Sequence, residues 1–333
     1  MLPIEKRIQA LVKLGVYMQE DGEAWTEAKY RALNANAWFT LENIDLAIEN
    51  IVHSFLQKEL LTTWMQNYTL PQQKKKLGIV MAGNIPLVGF HDFLCGFVCG
   101  HELFLKLSSK DEVLLTHLIG RLYEDHPEWK DEIHIAENLK NCDAYIATGS
   151  NNTARYFEQY FGKYPHIIRR NRTSIAILEG NETEEELRLL AKDVFTYYGL
   201  GCRNVTQLCV PKEYRFDRLL DVFASNKDLM LHHKYKNNYD YHLAIYLLNK
   251  VPCLTNEMIL LVENDLPFSA VSVLHYRYYE NKNSFAKKMA AHEDIQTIVG
   301  RGFTPFGASQ QPALGDYADG VDTMRFLCEL NAD

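Results

Sequence analysis

The chain lacks the short signatures that would declare its chemistry at once. None of its seven cysteines is spaced Cys-x-x-Cys, and its cysteines and histidines have no zinc-finger spacing. A resident metal is therefore not expected. The thiols are scattered and odd in number, which argues against a disulfide framework and for a reducing compartment, so the cytoplasm is the expected location. No Gly-x-Gly-x-x-Gly fingerprint is present, which withholds an ordinary Rossmann assignment. No apolar run reaches the ~18 residues of a membrane span. The first residues include Glu5, Lys6 and Arg7 and show no apolar leader. Lys and Arg number 35 against 43 Asp and Glu, a formal net charge of -8, so neither nucleic acid nor an anionic membrane is an expected partner. The one basic triplet, Lys74-Lys75-Lys76, follows Pro71-Gln72-Gln73 and reads as a solvated loop. Internal repeats and low-complexity tracts are absent as well.

What remains is an ordinary globular composition, 47% hydrophobic over 333 residues, enough for two domains. Residues 1–70 read as helices, with Ile4, Ile8, Leu11 and Val12, then Leu41, Ile44, Ile48, Ile51 and Phe55, at helical spacing. From Lys76 the rhythm changes. Leu77 to Ala82 is strand-like, Leu87 to Cys99 helix-like and Leu103 to Leu107 strand-like. Ser108-Ser109 then cap a helix running to Tyr123. Ile133 to Ala136 and Ala144 to Ala147 are further strands, Asn151 to Phe161 a helix and Ser174 to Leu178 a strand. Thr183-Glu184-Glu185-Glu186 matches a capping box that opens a long helix. This alternation predicts a parallel, doubly wound sheet, in which ligands bind beyond the carboxyl ends of the strands. The loops there are Gly83-Asn84-Ile85-Pro86, Ser108-Ser109-Lys110 and Thr148-Gly149-Ser150, and a dinucleotide is the natural ligand.

The stretch Tyr197-Tyr198-Gly199-Leu200-Gly201-Cys202-Arg203-Asn204 joins that long helix to the apolar run Val205 to Val210. Two glycines before a cysteine suit a tight turn that presents a thiol, the geometry a nucleophile needs. A small buried core thiol is the competing reading. Beyond it, Met258 to Val262 and Val271 to Leu274 read as strands, and Phe216 to Phe223 and Phe285 to Ala291 as helices. Tyr239 to Leu248 reads as helical core.

Five segments in order resemble the aldehyde dehydrogenase superfamily, more narrowly its acyl-CoA reductase branch typified by the LuxC-type fatty-acid reductase of bacterial luminescence. They are Ala82-Gly83-Asn84-Ile85-Pro86, Phe104 to Ser109, Ala147-Thr148-Gly149-Ser150, Gly199-Leu200-Gly201-Cys202, and Pro305-Phe306-Gly307 through Gly315-Asp316-Tyr317. The resemblance implies an α/β fold with a doubly wound cofactor domain and a smaller α/β catalytic domain. The expected division is 1–198 for the helical segment and cofactor domain, 199–307 for the thiol domain, and 308–333 for a segment returning to the cofactor domain or to an oligomer interface. It implies that Cys202 forms an acyl thioester and that Asn84, with the Cys202 backbone N–H, donates to the oxyanion. NADPH or NADH would be held by Lys106, Ser108, Ser109, Thr148, Gly149 and Ser150, with Glu263 at the nicotinamide ribose and Phe306 in the closing segment. The implied substrate is an acyl-CoA, reduced to an aldehyde. Aldehyde or acyl-phosphate oxidation on the same scaffold, and a catalytically silent acyl-binding protein, are the alternatives.

One departure from the superfamily pattern decides between the first two. Where hydrolytic members carry a Glu base, this chain reads Ile167-Ile168-Arg169-Arg170-Asn171-Arg172, with no carboxylate to activate water. A thioester so protected suits exchange with a thiol such as coenzyme A. The three arginines either grip phosphates or form a solvated loop, the latter being the ordinary reading. His166 is read as a non-catalytic histidine rather than a base, and His91 and His101 as structural. Asn84, Ser108, Ser109 and Ser150 also have plain readings as turn and cap residues. Val321 to Leu330 offers a strand to a second copy, which would make a homodimer.

Overall fold

The computed structural model describes residues 2–20 and 22–330. Helices α1 (Ile4–Gln19), α2 (Glu23–Ala35), α3 (Leu41–Phe55) and α4 (Lys58–Met65) open the chain. They form because apolar side chains recur on one face. In α3 that face is Ile44, Ala47, Ile48, Ile51, Val52 and Phe55, all buried, and the Thr40 hydroxyl caps its start by accepting from the Asn43 N–H at 3.2 Å. Then follow β1 (Lys76–Val80), α5 (Phe90–Cys99), β2 (Glu102–Lys106), α6 (Val113–Asp125), β3 (Ile133–Ile135), β4 (Ala144–Thr148), α7 (Asn151–Phe161) and β5 (His166–Arg169). The five strands make one parallel sheet in the order β3-β2-β1-β4-β5. The chain winds outward one way from β1 and the other way from β4, so the direction changes between those two strands.

The next elements are β6 (Thr173–Ile177), α8 (Glu184–Phe195), β7 (Val205–Pro211), α9 (Asp217–Phe223), α10 (His233–Leu248), β8 (Cys253–Thr255), β9 (Leu260–Glu263), β10 (Val273–Tyr279), α11 (Lys282–Ala290), β11 (Ile295–Val299) and α12 (Thr323–Cys328). Strands β6 to β11 form a second sheet, ordered β11-β6-β7-β10-β9-β8, parallel except for β8. The chain divides into two compact units. One is Met1–Asn171 with Pro312–Asp333, and the other is Arg172–Gln311. The sequence reading placed the divide at 198/199, at the cysteine turn. It falls earlier because β6 pairs with β7 and β11, which carries β6 and α8 into the second unit. Among the described residues, no helix is long and apolar enough to cross a membrane.

Several local expectations are corrected. Ser108 and Ser109 do not cap α6. A turn closed by the Asp111 N–H on the Ser108 carbonyl (2.9 Å) intervenes, and the helix starts at Val113. Val321 to Leu330 is not a strand. Asp322 caps α12, accepting from the Arg325 N–H at 2.9 Å. Thr323, Met324 and Leu327, at helical spacing, are buried in the first unit. Helix α10 is not core, because its apolar residues are spread around its circumference. Only Tyr235 and Tyr239 are buried, while Leu247 and Leu248 are 66% and 80% exposed.

Candidate active site

In the first unit the strand register brings the predicted loops to one edge. Val80 of β1 lies opposite Lys106 of β2 on one side and Ala147 of β4 on the other. The loops that follow these residues are the ones carrying Asn84, Ser108 with Ser109, and Thr148 to Ser150, and they flank the point where the winding direction changes. Lys106, Asn84, Ser109 and Ser150 are exposed. Gly83 keeps the first two loops close: a Cβ there would sit 2.6 Å from the Ser108 hydroxyl oxygen and 3.2 Å from the Asp111 Cβ. Ser150 caps α7, accepting from the Thr153 N–H at 3.2 Å, and Gly149 donates to the Arg169 carbonyl at 3.2 Å. The cap that the plain reading foresaw is present, and it opens a helix N-terminus on the same edge. The exposed Lys106 and the N-terminus of α7 thus lie along one edge of the sheet.

The arginine stretch is not a solvated loop. Ile167 to Arg169 belong to β5, and Arg169 is 4% exposed. Its guanidinium is ion-paired with Asp92 of α5 and donates to the Thr323 hydroxyl at 2.8 Å. Arg170 remains exposed. His166 has its Nδ1 2.8 Å from the Tyr164 carbonyl oxygen. His101 is fully buried, its ring nitrogens 3.3 Å from the Lys75 N–H nitrogen and 3.0 Å from the Leu327 carbonyl oxygen, which is the structural role expected of it.

In the second unit Cys202 stands on a four-residue turn at the amino end of β7, partly exposed. The Asn204 N–H closes the turn on the Gly201 carbonyl at 3.1 Å. The approach is unusual: Tyr197, Tyr198 and Gly199 all have left-handed backbone, with φ of 54°, 56° and 77°. Only the glycine is at ease there, so two consecutive tyrosines are held in strained backbone just before the thiol. Four of the other six cysteines, Cys95, Cys99, Cys142 and Cys209, are buried. Burial pushes the Cys142 thiol up to about 11 and the Cys209 thiol up to about 12. The Cys99 thiol is also pushed up, by its hydrogen bond to Cys328 and by burial, while the same bond draws the Cys328 thiol down. A crevice flanking the turn is lined by apolar side chains, among them Val194, Phe195, Tyr198, Val205 and Val273.

Glu263, at the end of β9, is exposed. Phe306 is 9% exposed and lies in the apolar core of this unit, so its ring packs inward. The sequence reading assigned no role to Asn204. Its side chain, fully buried, accepts from the Gly201 N–H at 2.8 Å and donates to the carbonyls of Asp193 (3.1 Å), Val194 (3.3 Å) and Thr196 (2.8 Å) at the end of α8. An asparagine just after a glycine-rich turn was the one visible signal. The distant carbonyls it serves are not written in the sequence.

No protein-family model matches the chain. Its sequence is 23% identical over 270 residues to long-chain acyl-protein thioester reductase 2 of Photobacterium leiognathi, covering 74% of this chain and 54% of that protein. The chain thus spans about half the length of this curated relative. Its structure is similar to that of a Burkholderia cenocepacia protein described as a putative aldehyde dehydrogenase, with a TM-score of 0.66, 12% identity, and coverage of 92% of this chain and 76% of that one. For aldehyde dehydrogenase 21 of Physcomitrella patens, solved with succinate, the figures are 0.67, 13%, 90% and 74%. For glyceraldehyde-3-phosphate dehydrogenase of Methanocaldococcus jannaschii, solved with NADP, they are 0.62, 12%, 90% and 76%. The chain therefore has the aldehyde dehydrogenase fold, and its sequence resembles a long-chain acyl-protein thioester reductase.

Proposed function

We propose that the chain is an NAD(P)H-dependent oxidoreductase of acyl groups, reducing an acyl thioester, an acyl-CoA in the first instance, to an aldehyde through an acyl-Cys202 intermediate. The observation that carries this reading is the partly exposed Cys202 on its strained turn, in a chain whose other thiols are mostly buried. The Cys202 sulfur bonds to the acyl carbon as the carrier thiol leaves with a proton. The backbone N–H of Cys202 donates to the oxyanion, and Asn84 keeps the task that the resemblance gives it. Lost donors of this kind typically cost ~10²–10³ in rate. Bound NAD(P)H supplies hydride to the carbonyl carbon. Lys106, Ser108, Ser109, Thr148, Gly149 and Ser150 would hold it in the first unit. The absence of a carboxylate from Ile167 to Arg172 supports thiol exchange over hydrolysis. The name of the bacterial relative supports a thioester substrate and favours, as a second reading, an acyl group delivered on a protein.

The test is intact mass after incubation with an acyl-CoA, for the wild type and for Cys202→Ala. The wild type should gain one acyl group, and NADPH or NADH should remove it with release of aldehyde. An equal adduct on Cys202→Ala, or aldehyde oxidation that needs no thiol, overturns the proposal. Acylation only from a protein-bound donor selects the second reading.

A further inference from the structure

Beyond the nucleophile itself, we infer that Asn204, assisted by Ser174, is the positioning residue of the Cys202 thiol; the inference rests on the thioester reading for its meaning in catalysis, but not for its test. Asn204 acts at three places. Its backbone N–H holds the Gly201 carbonyl at 3.1 Å. That carbonyl belongs to the same rigid peptide as the Cys202 N–H, and in a trans peptide the two point in opposite directions. Fixing one therefore aims the other, which is the donor assigned to the oxyanion. Its side-chain oxygen accepts from the Gly201 N–H at 2.8 Å, fixing the preceding peptide as well. Its amide group, with two hydrogens, serves three carbonyls at the end of α8. Two of them, the Asp193 and Val194 carbonyls, lie in the last turn of α8, where the helix supplies no N–H of its own. On the far side of the cysteine, the buried Ser174 hydroxyl of β6 donates to the Cys202 carbonyl at 3.2 Å. The peptides before and after the thiol are thus pinned from two elements of the same unit.

An aspartate at 204 would keep the acceptor for Gly201 but has no hydrogens for the helix end, and a leucine would offer neither. The amide is the one common side chain of this length that carries both functions. Its placement also explains how Tyr197 and Tyr198 stay left-handed. The segment is clamped at Thr196 on one end and Gly201 on the other by a single side chain. Strained backbone persists only where its surroundings over-determine it.

The experiment follows alkylation of Cys202 by iodoacetamide across pH, resolved by peptide mass spectrometry so that Cys328 is counted separately. It compares the wild type with Asn204→Ala and Ser174→Ala. Turnover of acyl-CoA with NADPH is measured alongside. Freeing the peptides on either side of Cys202 changes the dipoles that face the thiol, so the midpoint of the pH profile should move, by ~1 pH unit for Asn204→Ala and less for Ser174→Ala. The kcat should fall ~10–100-fold with KM held within a few-fold. A merely structural role changes the melting temperature and the plateau alkylation rate, but leaves the midpoint where it was. A folded Asn204→Ala with the wild-type midpoint overturns the inference. If Asn204→Ala does not fold, a wild-type midpoint in Ser174→Ala overturns it instead. A wild type that alkylates at Cys202 but reduces no thioester sinks the reductase reading alone, since the midpoints of the variants are read without turnover.

Discussion

Arg169 of β5 and Asp92 of α5 form an ion pair that is almost fully removed from water, at 4% and 7% exposure. Removing one partner of such a pair leaves a buried charge uncompensated, at a typical cost of ~3–5 kcal/mol. Asp92→Ala should therefore lower the unfolding free energy read from a urea titration by that amount. The joint change Asp92→Leu with Arg169→Met should recover most of the loss, because replacing both charges by apolar groups is often neutral. A double variant as unstable as the single one would contradict this account.

Glu186 contributes to the acid limb of stability. Its carboxylate closes the capping box of α8 on the Thr183 N–H at 2.7 Å and takes two bonds from Arg301, each 2.7 Å. Arg301 first, then Thr183, hold its carboxyl down at about 2. A depressed acid stabilises the fold above its ordinary value near 4.5 and ceases to do so as pH falls through about 2. Glu186→Gln should cost ~1 kcal/mol at neutral pH. The gap to the wild type should close between about pH 4.5 and about pH 2, as followed by thermal unfolding. Asp193 works with the opposite sign. Burial raises its carboxyl, so its contribution is lost as pH rises, and only the difference between wild type and variant isolates Glu186.

Asp193 also ties a loop to a helix. Its carboxylate accepts from the Gly307 N–H at 2.7 Å and from the Ser309 N–H at 3.0 Å, while its own carbonyl receives Asn204. Asp193→Ala should cost ~1–3 kcal/mol, the penalty for buried donors left unmade. Hydrogen exchange at Gly307 and Ser309 should accelerate most. Uniform acceleration across the second unit would argue against a local tie.

Gly83 tests the cofactor edge of the first unit. A methyl group there meets the Ser108 side chain at 2.6 Å, an overlap that must displace the serine loop. Overpacking of this order costs ~1–3 kcal/mol. Gly83→Ala should then raise the Kd for NADPH ~10-fold, read from dihydronicotinamide fluorescence. Unchanged binding would move the cofactor away from this edge.

Much of the first sheet was legible because its buried strands are short apolar runs ended by glycine or serine, as at Leu77 to Ala82 and Ala144 to Ala147. The capping box at Thr183 was legible because both of its bonds are local. What escaped were features settled by distant partners. Three arginines in four positions look solvated until Asp92 and Thr323, 77 and 154 residues away, are seen to receive one of them. Strand β11, Ile-Gln-Thr-Ile-Val, has too few apolar residues to stand out, and takes its form from pairing with β6. Helix α10 misled by composition, since its tyrosines and leucines suggested burial without a single apolar face. At the site, the cysteine turn could be read from two glycines, whereas Asn204 and the left-handed tyrosines depend on the end of α8.

Helix α12 completes the first unit, yet it is made only after the whole second unit has been translated. Until it leaves the ribosome, Arg169 lacks its Thr323 partner and His101 its Leu327 carbonyl. Through the synthesis of some 150 further residues, the separation of Arg169 from Thr323, the guanidinium has Asp92 but not its α12 partner. The first unit to be synthesised is the last to close, which exposes it to chaperones longer than its place in the chain suggests.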